Sequence, residues 1–199
     1  MWLTFAGRPE EDRPDPEAYE AAWRTTQIIA EEPAAGLIKL RDVLSENYVN
    51  GGACVARFRI AAPREVLWGL HKNQFNEFEF LDRFFAHPVV TAALPEVSRP
   101  NELIREFKQS DAAHGFGYLL RSVIRGGLYN CFSGSNEDAV TLVTEFMRAA
   151  IGMRLSRTHL WVNSRGWTAW FCGIAWDATY VWFDRDDPAI IVLLITDSD

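Results

Sequence analysis

Ala189-Ile-Ile-Val-Leu-Leu-Ile195 is apolar at every position. Seven residues suit a strand and fall far short of the roughly 20 that a membrane-spanning helix needs. A strand with one wet face alternates apolar and polar residues. An unbroken apolar run means that both faces are covered, so this strand belongs in the interior of a sheet. The residues before it extend the pattern. Asp184-Arg-Asp-Asp-Pro188 is a polar turn, and residues 178–183 read as a strand. Residues 167–175 alternate and read as another, Asn163-Ser-Arg-Gly166 is a hairpin loop, and 158–162 is a further strand. Short turns between successive strands favour an antiparallel meander.

Further towards the N-terminus the pattern is helical. Asp15 before Pro16 offers an N-cap with proline at the first helical position. Tyr19, Ala22, Trp23, Ile29 and Ala30 share one face, which predicts a helix over 16–32. Leu37, Leu40, Leu44 and Tyr48 mark a second helix, and 53–60 reads as a strand. Further helices are expected over 63–72, 76–86, 88–94, from Pro100 with Leu103, Ile104 and Phe107 inward, and over 117–124. A short strand is expected at 128–132. Ser135 with Asp138 resembles a capping box and opens an amphipathic helix carrying Ala139, Val143, Phe146 and Ala150. The expected fold is α+β, with a helical N-terminal half packed on a C-terminal antiparallel β-sheet meander. We expect one domain over 1–199, mainly helical to 125 and strand-helix-meander from 126.

The 199 residues carry a net charge of −7. Residues 1–32 and 177–199 are each −5, and the middle is +3. An acidic chain is not suited to hold phosphate backbones, so no nucleic-acid partner is expected; no membrane partner is expected either. The acidic ends read as solvated segments or as a face that meets a basic partner. Three widely spaced cysteines, Cys54, Cys131 and Cys172, form no zinc-ligand pattern, and Cys54 and Cys172 sit in apolar runs as core residues do. The N-terminus shows no secretory pattern, so the cytoplasm is the expected compartment. No cofactor is expected, because no glycine pattern matches a nucleotide loop.

Chemistry-bearing groups are sparse. Asp177, Asp184, Asp197 and Asp199 would make an oxygen site for a divalent cation if they converged, or else are solvated termini and turns. Cys131 with His159 is a conceivable thiol–imidazole pair, and His114, in Asp111-Ala-Ala-His-Gly-Phe-Gly117, is the best single candidate for a catalytic histidine. Arg121, Arg125, Arg148, Arg154 and Arg157 read as solvated arginines, the last two within reach of the acidic ends. Five of the eight tryptophans fall between 161 and 182, as core or as an exposed aromatic patch.

Trp170-Phe-Cys-Gly-Ile-Ala-Trp-Asp-Ala-Thr-Tyr-Val-Trp-Phe-Asp184, the aliphatic strand and the closing Thr196-Asp-Ser-Asp199 resemble the final segment of immunity proteins of bacterial polymorphic toxins. The resemblance lies in a Trp-Asp-x-Thr step, an aromatic strand, a polar turn, an aliphatic strand and a terminal Thr-Asp-x-Asp, about 30 residues in all. It implies an inhibitor without catalysis that binds one cognate toxin. On that reading Asp184, Asp186, Asp187, Asp197 and Asp199 would steer the toxin, and Trp176, Tyr180 and Trp182 would anchor it. Two other readings stay open: a small hydrolase using His114 or the Cys131/His159 pair, and a protein that homodimerises through its aromatic sheet.

Overall fold

The computed structural model describes residues 13–75, 77–96, 106–173 and 175–198. Six strands form one sheet: β1 (Gln27–Glu31), β2 (Gly52–Ala61), β3 (Lys108–Asp111), β4 (Thr158–Asn163), β5 (Ala178–Asp184) and β6 (Ala189–Thr196). Their order is β1-β2-β6-β5-β4-β3, and each neighbouring pair is antiparallel. The aliphatic run is β6, an interior strand between β2 and β5, with all eight residues buried. Ile190, Val192 and Leu194 enter one core and Ile191, Leu193 and Ile195 the other. Full burial of each Ile, Leu or Val side chain is worth about 1.5–3 kcal/mol, so this strand is the axis of both cores.

Helices cover both sheet faces. On one side lie α1 (Pro16–Thr25), α3 (Arg64–His71), α4 (Phe80–Ala86) and α5 (Pro88–Ala93). On the other lie α2 (Ala35–Asn47), α6 (Ala112–Arg125) and α7 (Asn136–Ile151). The chain is α+β: helices dominate its N-terminal half, β4–β6 are the C-terminal meander, and β2 joins the meander beside β6. The Ser135–Asp138 capping box is present in full at the start of α7.

Several local expectations are corrected. The helix from Pro16 stops at Thr25, because Thr25 and Thr26 both turn their hydroxyls back to the Ala22 carbonyl, and Ile28 and Ile29 continue as β1. The described residues of the stretch 167–175 are not a strand. Trp167, Trp170 and Phe171 all pack into the same core, which a pleated strand with alternating faces does not allow. Gly173, at φ 77°, turns the chain there. Residues 128–132 form a bend rather than a strand, and β3 stands where helix or loop was expected. The helix expected over 117–124 starts earlier, at Ala112, capped by the Asp111 carboxylate. Leu103 and Ile104 lie outside the described residues, while Phe107 is buried. Cys54 is partly buried, and burial raises its thiol pKa, but Cys172 is exposed rather than in the core. Helices cover both faces of the sheet over β2, β6 and β5, so Trp182 and Phe183 are interior residues.

Candidate functional site

The acidic residues singled out from sequence are mostly engaged within the fold. Asp184 is 1% exposed and accepts hydrogen bonds from Arg154, with Nε at 2.7 Å, and from the Asp186 amide. Asp186 pairs with Arg157 at 2.6 Å. Asp187 and Glu31 together bind Arg57 and Arg59, four contacts of 2.6–3.1 Å that tie the β5–β6 turn to β1 and β2. The two guanidinium groups hold the Glu31 carboxyl below its ordinary range. Asp197 is fully buried and accepts from the Asn50 and Leu128 amides at 3.1 and 2.8 Å. Asp199 lies outside the described residues. Asp184 and Asp197 are thus buried and engaged within the fold, Asp197 as a clasp between loops, while the partly exposed Asp186 and Asp187 are paired with arginines of the same chain.

Asp184 does not join Asp177 either. Asp177 and Asp184 stand at opposite ends of β5, about 20 Å apart at 3.3 Å per residue. Among the described residues no group of three or more His, Cys, Asp or Glu side chains is arranged to hold a metal ion.

The proposed catalytic groups also stay apart. His159 lies on β4, with Nε2 3.3 Å from the His71 carbonyl at the end of α3, so it faces the α1/α3/α4/α5 layer. Cys131 lies in the loop between α6 and α7, in the opposite layer. His114 is exposed in the first turn of α6, where its Nδ1 meets the capping Asp111 at 2.7 Å. Burial lowers the His159 pKa, and the same cause lowers that of His71.

The aromatic candidates divide. Trp182 is fully buried, in edge contact with Phe146, and is an interior residue rather than an anchor. Tyr180, 5% exposed, stacks on Trp182, while Trp176 is half-buried. Tyr180 and Trp176 both border a cleft of about 650 Å³.

The cleft follows from how far α6 covers the sheet. Gly115 lets α6 sit directly on the row Leu160–Trp182: a Cβ there would come within 2.7 Å of Leu160 Cδ2 and 3.2 Å of Trp182 Nε1. The next row with the same side-chain direction, Lys108–Val162–Tyr180, is open and forms the floor. Tyr118, Arg121, Ser122 and Arg125, spaced along one face of α6, form one wall. The loop over 164–177 supplies Arg165 and Trp176 to the other.

That loop is held by its own polar network. Trp167 Nε1 donates to Thr179 at 2.8 Å, and the Thr196 hydroxyl donates to Asp177 at 2.6 Å while accepting from the Cys172 amide. Asp177 also accepts from the Gly173 amide at 2.7 Å.

Four cations line this cleft in a chain whose net charge is −7. Arg165 is 3.4 Å from Glu106. Among the described residues, Lys108, Arg121 and Arg125 enter no ion pair. Burial raises the pKa of the Tyr180 phenol and pushes that of Tyr48 up to about 12, so both stay protonated at neutral pH. At the Gly126 end, exposed Ile124, Leu128, Tyr129 and Val49 add apolar surface on segments joined by the Gly127–Asn47 hydrogen bond.

Sequence reasoning missed Lys108 and Arg165, and took Arg121 and Arg125 for solvated residues. The only signal was the mildly basic middle of an otherwise acidic chain. It did foresee the pairing of Arg154 and Arg157 with the acidic turn. No helix among the described residues is long and apolar enough to cross a membrane. The chain matches no protein-family model, no curated protein and no solved structure.

Proposed function

We propose that the chain is an immunity-type binding protein, which captures a cognate toxin in the cytoplasm and neutralises it without catalysis, using the cleft beside α6. One observation carries this reading. Lys108, Arg121 and Arg125 converge on a cleft bordered by Trp176, Tyr118 and Tyr180, and form no ion pair with a described residue, although the chain has carboxylates in excess. Charge left unmatched beside aromatic groups is what an interface needs: the cations orient the partner and the rings anchor it. Exposed Tyr129 and Leu128 extend the same end with apolar contact area. The polarity is the reverse of that expected from the sequence, for it is the partner that presents acidic groups.

The test is affinity capture of the tagged chain from its host, followed by assay of the captured protein's toxicity. The expected result is one stoichiometric partner that arrests growth when expressed alone and is silenced by this chain. Capture of no such partner, or of one whose toxicity is undiminished by the chain, overturns the reading.

A further inference from the structure

We infer that the cleft beside α6 recognises a short peptide segment in which carboxylate side chains flank an apolar one. The inference rests on the binding-protein reading and names the chemistry of the partner at the same site. Arg121 and Arg125 stand one helical turn apart on α6, so their side chains begin about 5–6 Å from each other. Lys108 projects from the floor strand and Arg165 from the facing loop. Unpaired positive charge thus stands on the α6 wall, at Arg121 and Arg125, and at Lys108 at the end of the floor row with Val162 and Tyr180, while Trp176 and the Glu106-paired Arg165 lie opposite. A central apolar side chain meets that floor, and carboxylates before and after it reach guanidinium groups, which bind them in a bidentate fork. A volume of about 650 Å³ lies in the range of sites that hold a drug-sized ligand, which a few residues of peptide match.

A nucleic-acid strand fits less well. Glu106 and Asp177 border the same cleft, and the chain as a whole is acidic. A continuous row of phosphates running out of the cleft meets that repulsion. A peptide carries its charges only where the cleft offers cations, and beyond about 8 Å, the screening length at physiological salt, the rest of the chain is scarcely felt.

The experiment uses the full chain and a fluorescently labelled peptide, acetyl-Glu-Asp-Leu-Asp-Glu-amide, followed by anisotropy. The controls are the same peptide with Lys for each acid and an oligothymidylate of five nucleotides. The expected result is binding of the acidic peptide only, weakened at least about tenfold in the double variant Arg121→Glu/Arg125→Glu. The exposed Arg148→Glu on α7 should leave it unchanged. The double variant should bind the Lys peptide instead, a reversal that misfolding does not produce. Absence of acidic-peptide binding, equal binding by the double variant, or tighter binding of the oligothymidylate each overturns the inference. If a toxin is captured but the double variant still captures it, the inference fails and the binding-protein reading stands. If the peptide binds while no toxin is captured, the reverse holds.

Discussion

The turn at 184–187 and the cleft beside α6 are both rich in charge, and the fold treats them in opposite ways. At the turn every carboxylate has an arginine: Asp184 takes Arg154, Asp186 takes Arg157, and Asp187 shares Arg57 and Arg59 with Glu31. In the cleft, Lys108, Arg121 and Arg125 have no such partner among the described residues. The turn is conspicuous in the sequence, yet its charge is spent in joining β5, β6, β1 and β2. The cleft draws its cations from β3, α6 and a loop, and of the four only Arg165 enters an ion pair with a described residue. Charge density along a chain is therefore a poor guide to charge available to a partner; what matters is which groups the fold leaves unmatched.

The sharpest way to break this comparison is to treat an acid of the turn as though it were a surface contact. Asp184→Ala removes a buried carboxylate and strands the Arg154 guanidinium and the Asp186 amide. The Arg154 guanidinium is 43% exposed and regains water, so the loss is that of charge-assisted hydrogen bonds to a buried carboxylate, about 2 kcal/mol, which for a chain of this size lowers Tm by roughly 4–8 °C. A thermal melt followed by circular dichroism checks it, and a shift under about 2 °C would mean that the turn is not structural.

The second difference is in pH dependence. His71 and His159 lie against the α3 end of the sheet, both near Arg185 and His71 also near Asp186, and burial lowers both pKa values from 6.5. A lowered histidine pKa means that the unfolded chain takes up the proton first. Stability is then fully present above 6.5 and declines as pH falls through the interval between the unfolded and folded values. The expected outcome is a urea midpoint that falls between pH 7.5 and 5.5, with a smaller fall in His159→Gln. No histidine lines the cleft among the described residues, so acidic-peptide binding at pH 6 should match that at pH 7.5 when the peptide itself stays ionised.

What was legible in the sequence was what shows as local pattern. The run at 189–195 announces two covered faces by failing to alternate, and Ser135–Asp138 announces α7 because a capping box lies within four residues. Residues 167–175 misled because aromatic parity imitates a strand, whereas Trp167, Trp170 and Phe171 were gathered into one core by turns around Gly173. β1 was hidden because Ile29 and Ala30 keep helical spacing with Ala22; the β-branched Thr25, Thr26, Ile28 and Ile29 were the countersignal. The cleft had no local pattern at all. Its floor exists only through the β3–β4–β5 register, and its cations read one by one as ordinary solvated residues. Trp176 and Tyr180 were found for their chemistry, without the cations that give them a setting.

The smallest expected effect is also the one that separates the two regions most cleanly, because its sign is opposite. Arg121 and Arg125 are like charges at i and i+4 on an exposed helix face, an arrangement that destabilises by about 0.2–0.5 kcal/mol. Arg125 is favoured where it is, in the last turn of α6, by the helix dipole; Arg121, a turn earlier, has no such compensation. Arg121→Glu replaces the repulsion by a pair in the favourable order, acid before base, and should stabilise the chain by about 0.5 kcal/mol while weakening capture of an acidic partner. A urea titration reads the first effect and peptide anisotropy the second. A residue kept for folding loses stability when its charge is reversed, as Asp184 does when its charge is deleted. A residue kept for binding at the expense of stability gains it. If Arg121→Glu destabilises the chain, the cleft's cations are part of the fold after all, and the contrast with the acidic turn collapses.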